Sequence, residues 1–162
     1  LWHSLEHMGS PIKVLTEIRR ILKDNGIVKI AVPNFDSWER KLTNENWFHL
    51  DIPRHVYHFS TATMRAILEK NGFTITNIMY AAPEYDFYSF CQSLLNTLPF
   101  SEKYLLYKKL QGQAKSSSVL VLNILYQVPF FIVFSLFSLL VVPLCWIFKQ
   151  SGTIEVTATK NH

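Results

Sequence analysis

Cysteine is nearly absent: 162 residues contain only Cys91 and Cys145. Two thiols so far apart give neither a disulfide framework nor a cysteine-based zinc site, and a reducing compartment is expected. Both sit in apolar runs, where a cysteine packs rather than attacks. There is no glycine-rich phosphate loop, no Gly-x-Ser-x-Gly elbow and no Cys-x-x-Cys pair, so the motifs for those chemistries are missing. Basic clusters are missing too. The net charge is only +4 and no Lys/Arg-rich run forms a stripe, so nucleic acid is not an expected partner. Charge of either sign is lacking between residues 116 and 148. The sequence opens on Leu1, not Met, in the middle of a motif, and a piece of a longer protein is expected.

What is present is a globular composition. Hydrophobic residues make up 49% and charged residues 17%, which excludes disorder for most of the chain, and the length suits one domain. Ser10 and Pro11 form a helix start, and Ile12, Leu15, Ile18, Ile21 and Leu22 recur at helical spacing behind them. Gly26 is expected to end this helix in the left-handed conformation. An apolar run over 27–32, closed by Pro33 and Asn34, predicts a strand. The pattern then repeats: Ser60 caps a helix over 61–71 with Gly72 at its end, and 73–80 alternates like a strand. Helix, glycine turn and strand suggest βαβ units and a parallel sheet covered by helices. Helical stretches are also expected around 88–95 and 102–110.

Three segments follow from composition: 1–115 reads as soluble α/β protein, 116–149 is a charge-poor apolar insertion, and 150–162 is a final strand and tail. The 30 residues 119–148 are long enough for one membrane span and too short for two. If the alternating run 152–160 pairs with the upstream sheet, both ends of the apolar segment lie on one side of a membrane. A helical hairpin bent near Pro129 or Pro143 reconciles the two signals. Lysines 108, 109, 115 and 149 bracket it, as suits an anionic cytoplasmic membrane surface. The competing reading is a buried helical pair or an oligomer surface in a soluble protein.

Two clusters could carry chemistry. His3-Ser4-Leu5-Glu6-His7 matches the H-x-x-E-H pattern of inverted zinc proteases. Met8-Gly9-Ser10-Pro11 breaks the helix such a motif needs, and no third ligand stands on a following helix, so no metal is expected. The second cluster is residues 47–59, with Trp47, Phe48, Asp51, Arg54 and three histidines at 49, 55 and 58. Loops beyond the carboxyl ends of strands are where α/β sheets bind ligands, and histidine exchanges protons near neutral pH. His55 or His58 is the candidate base or acceptor ligand, Arg54 the group to orient an anionic substrate, and Trp47 and Phe48 the apolar wall. The alternative is that these side chains simply pack over the sheet.

Leu5-Glu6-His7, Ser10-Pro11, the helix ending Arg20-Ile21-Leu22-Lys23, Gly26 and the strand to Val32-Pro33-Asn34 resemble the second half of a class I S-adenosylmethionine-dependent methyltransferase. Trp47, Pro53-Arg54-His55, His58-Phe59 and Gly72-Phe73 are similar to one subgroup of that family. Asn25 departs from the glycine common at its position in the turn. The resemblance implies the C-terminal part of a Rossmann-like sheet, with the apolar helical insertion before a last antiparallel strand and the cofactor strands ahead of Leu1. It implies that Leu1, Trp2 and His3 lie near the S-adenosylmethionine methyl group, and that Pro33, Asn34, Trp47, Phe48, Asp51 and Arg54 surround a small-molecule or lipid-linked acceptor. The rival expectation is a non-enzymatic membrane-associated interaction module on the same scaffold.

Overall fold

The computed structural model describes residues 1–99, 103–112 and 118–160. Helix α1 covers Pro11–Ile21, strand β1 Ile27–Pro33, α2 Trp38–Thr43, α3 Thr61–Lys70 and β2 Phe73–Met79. Then come α4 Pro83–Asn96, α5 Leu105–Leu110, α6 Ser118–Ile147 and β3 Thr153–Lys160. The chain is mixed α/β. Local chemistry sets the element starts. The Ser10 hydroxyl accepts from Lys13 N at the head of α1, with Pro11 in its first turn. Ser60 and Thr63 form a reciprocal capping box on α3. Gly72 takes φ 78° after α3, where a side chain would be strained.

Gly26 departs from expectation, for it is not among the glycines at positive φ. Helix α1 ends by Leu22 turning to extended backbone, and Gly26 is needed for space instead. A Cβ there would press on the Leu22 side chain and the Lys23 carbonyl.

The three strands lie in the order β1-β3-β2, with β3 antiparallel to both neighbours. β3 is the last strand in the chain and the central one in the sheet. The expected parallel sheet is thus corrected among the described residues: β1 and β2 do run the same way, but β3 separates them. Parallel pairing survives only as isolated bridges, Trp2 with Ala31 on the free side of β1 and Asn34 with Phe59. Val28, Ile30 and Val32 alternate onto one face, where Leu15 of α1 and Met64 and Leu68 of α3 close the main core.

Residues 118–147 form one continuous helix, not a hairpin. Pro129 and Pro143 lie inside it; each removes one backbone bond, yet neither turns the chain back. The return limb is α4. Phe87 meets Trp146, Phe90 meets Phe137, and Cys91 meets Ser135, so one number rises as the other falls and the two helices are antiparallel. That pair explains how the apolar segment leaves and rejoins the sheet on one side. The 115/116 boundary and Lys115 lie outside the described residues, as does Glu102.

Candidate functional site

The site begins with a three-residue 3-10 turn, Leu5–His7, buried at Leu5 and Glu6. Its Glu6 carbonyl accepts from Val56 N and Tyr57 N (2.9 and 3.2 Å), which ties the turn to the loop between α2 and α3. That loop turns sharply at Asp51, whose φ is 31°, a left-handed geometry tolerated better by Asp than by most side chains. The Asp51 carbonyl then accepts from Arg54 N and His55 N (2.9 and 3.0 Å). These contacts aim the histidine-rich loop at the N-terminal turn.

A cleft of about 360 Å³ opens between them. His3 and His7 line it from the turn, Phe48, His49, Asp51, Arg54 and His55 from the loop, Glu84, Tyr85 and Tyr88 from α4, and Tyr104 and Tyr107 from the start of α5. Its walls are aromatic. Phe48 packs against Tyr88, Tyr104 and Tyr107 at 5.3–5.9 Å between ring centres, and His3 lies 4.2 Å from Tyr85. Electron-rich ring faces of this kind attract a cationic ligand.

The histidines have defined partners. His55 Nδ1 bonds to the His49 carbonyl at 2.6 Å and His7 Nδ1 to the Arg54 carbonyl at 2.9 Å. A carbonyl can only accept, so each Nδ1 carries a proton, which in a neutral ring leaves the lone pair on Nε2. Burial holds His55 below the ordinary histidine value, partly offset by the His49 carbonyl and Glu6. Burial, with His3 and His55 nearby, holds His49 well below it. Both rings are therefore neutral at pH 7. Burial pushes the Tyr88 hydroxyl up to about 12, so it stays a donor.

The sequence-derived candidates divide. His3, Phe48, Asp51, Arg54 and His55 come together in the cleft. Trp47 does not line it: the indole is fully buried and braces Phe35, His49 and His58 from behind. Nor does His58, which gives its Nε2 proton to the Leu50 carbonyl (3.1 Å) and packs on Phe35. Pro33 pairs with Thr153 at the end of β1. Asn34 is buried and donates to the Ser151 carbonyl. Both serve the fold and not the cleft wall. Leu1 and Trp2 lie along the free edge of β1. The Arg54 guanidinium already pairs with Asp51 at 2.7 Å, and that carboxylate, together with Tyr107, raises its affinity for the proton further. An anionic ligand would have to share it.

The sequence reading missed the tyrosines of α4 and α5, although their density between positions 80 and 107 was a visible signal. It also missed a buried acid pair behind the cleft. Glu39 accepts from Ser93 (2.6 Å) and Ser89 (3.1 Å). Asp86 accepts from Ser151 and Trp146, both at 2.7 Å. Burial, opposed by the serines and reinforced by Asp86, pushes Glu39 up to about 8, and burial raises Asp86 as well. Nothing in local sequence marks an α2 glutamate as buried against α4.

A family model described as a methyltransferase domain matches residues 1–78. No curated protein matches the chain. The matched stretch carries α1, β1, α3, most of β2 and the loop with His49 and His55, which are the residues that carry the class I resemblance. Residues 1–78 of this chain thus match a methyltransferase domain family, which supports the class I S-adenosylmethionine-dependent methyltransferase family that the sequence resembles.

Proposed function

We propose that the cleft carries out methyl transfer from S-adenosylmethionine to a lipid-linked or membrane-delivered acceptor at a cytoplasmic membrane surface. The observation that carries the acceptor class is the double use of α4. One face of that helix sends Glu84, Tyr85 and Tyr88 into the cleft. The other holds α6 through Phe87, Phe90 and Leu94. Helix α6 is long and apolar enough, over Val121–Ile147, to cross a bilayer. Its side away from α4 stays uncovered: Leu122, Leu125, Val133, Leu136, Leu140 and Ile147 are each more than half exposed. So large an apolar surface marks a contact with lipid or protein. Because α6 returns along α4 to the central strand β3, the reading is a monotopic helix lying in one leaflet with the cleft beside it.

The sheet supports the Rossmann-like part of this reading. β3 is antiparallel between β1 and β2, and a parallel neighbour touches the free side of β1 at Trp2. In this arrangement Leu1, Trp2 and His3 would hold the donor, and the aromatic wall would offer ring faces to its sulfonium. The bound donor would supply a methyl group to an acceptor oxygen, leaving as a neutral thioether, and Nε2 of neutral His55 would take the acceptor's proton. The protein's task is positioning, done by Phe48 and the tyrosines.

Co-sedimentation with anionic vesicles tests the membrane half of the proposal. The chain is expected to pellet with them. Leu136→Gln, Leu140→Gln and Leu144→Gln together remove about 1.5 kcal/mol of apolar burial each, enough to weaken binding about a thousandfold. Pelleting that ignores the triple change would assign the face to a protein partner.

A further inference from the structure

We propose that Glu6, His7 and His55 form a three-ligand site for a divalent cation of the zinc class, with its open position toward the cleft. Each residue offers one ligand atom, and these atoms lie within 4.8 Å of one another. A tetrahedral zinc site brings ligand atoms to about 3.3 Å apart. The ligand atoms must therefore draw together by up to about 1.5 Å, and His7, whose side chain is exposed, is the freest of the three to move.

Three observations point to a cation. Glu6 is 1% exposed and neither carboxylate oxygen has a hydrogen-bond partner among the described residues. A buried carboxylate left so is costly unless something positive meets it. The nearest basic group, His3 Nδ1, stands 3.6 Å from Oε1, too far for a hydrogen bond. Both candidate imidazoles have Nδ1 anchored on a main-chain carbonyl, His7 on Arg54 and His55 on His49. That is how metal-ligating histidines are oriented, with Nε2 left for the ion. The frame is also rigid where it matters, since the Glu6 carbonyl takes hydrogen bonds from Val56 N and Tyr57 N right after His55.

The donor set selects the ion. Two imidazoles and one carboxylate suit zinc and its neighbours over magnesium or calcium, which want oxygen alone. Three protein ligands leave a position for an outside oxygen. The proposal departs from the expectation of no metal, and its ligand set differs from that of the H-x-x-E-H reading. Positions 3 and 7 do not share an α-helical face, because the turn at Leu5–His7 is a three-residue 3-10 turn. The third ligand comes from 48 positions downstream of His7, beyond the reach of a local pattern. If the cleft transfers methyl groups as proposed above, an acceptor oxygen fills the open position, and in the cation-bound protein its proton goes to water in place of His55 Nε2.

Cobalt titration of the 162-residue chain, with no methyl donor or acceptor present, tests this apart from any activity. One equivalent of Co2+ is expected to give the visible bands of a four-coordinate ion, displaced by Zn2+. His7→Ala and Glu6→Gln are each expected to weaken binding at least about tenfold, while His58→Ala leaves it unchanged. As a second readout, Zn2+ should raise the melting temperature of the wild type and not of His7→Ala, whose exposed side chain the fold does not need. Absence of the bands, equal affinity in wild type and His7→Ala, or equal loss in His58→Ala would each overturn the site. Failure of methyl transfer alone would leave these signals in place.

Discussion

Glu39 makes stability depend on pH in an unusual direction. Its carboxyl is buried at the junction of α2 and α4 and pushed up to about 8 from 4.5, chiefly by burial. A carboxylate raised in the folded state binds its proton more tightly there than in the unfolded chain. Its contribution is fully present below pH 4.5 and declines as pH rises toward 8. At 1.36 kcal/mol per unit, the loss reaches about 3 kcal/mol at pH 7. Glu39→Gln keeps a neutral group that can bond to Ser89 and Ser93 but cannot ionise. The variant should match the wild type near pH 4.5 and exceed it by about 3 kcal/mol at pH 7, roughly 6–12 °C in melting temperature for a chain of this size. Some slope of the same sign should remain, because Asp86 is also raised. Thermal melts of both proteins between pH 4.5 and 8 decide the matter. Parallel curves, or a variant less stable than the wild type at pH 7, would refute a neutral Glu39.

Further outcomes are expected at nearby positions and in the cleft. Gly152→Ala places a Cβ against Glu39 Oε2 and should cost about 1–3 kcal/mol, read as a lowered melting temperature. Trp146→Phe keeps the ring against Phe87 but removes the indole donor to Asp86; a loss of about 1–2 kcal/mol is expected in denaturant melts. His55→Ala in the intact gene product should cut turnover far more than it weakens binding of the methyl donor; unchanged turnover would remove His55 from the chemistry, whether as proton acceptor or as ligand.

Much of the fold could be read locally. Ser10, Pro11, Ser60 and Gly72 act through their own backbone neighbourhood, so their roles follow from type and spacing. The alternation of residues 152–160 announces a strand, and the family resemblance implies its antiparallel sense, but neither gives its central place, which depends on where β1 and β2 settle. Gly26 shows the limit of a local argument: the residue is required, but by contact with the Leu22 side chain and not by φ. The absence of charge points to a hairpin inside the apolar segment. Its second limb is α4, whose apolar face (Phe87, Phe90, Leu94) was hidden among polar residues facing the cleft and α2. In the site, composition of the 47–59 loop was legible, yet which rings face the cleft and which pack behind it was not. Trp47 and Phe48 are adjacent and do opposite things. The convergence of Glu6 and His7 with His55 is tertiary, and no spacing rule reveals it.

Labelled methyl transfer, measured with the intact gene product and membranes as acceptor source, tests the central claim most directly. The account predicts label from S-adenosylmethionine in the organic-solvent extract, with loss of that signal but retained donor binding when Leu136, Leu140 and Leu144 are changed to Gln. Label appearing only in water-soluble product, or at the same level in the triple variant, would contradict an acceptor delivered from the membrane. Absence of any methyl transfer would contradict the enzyme itself.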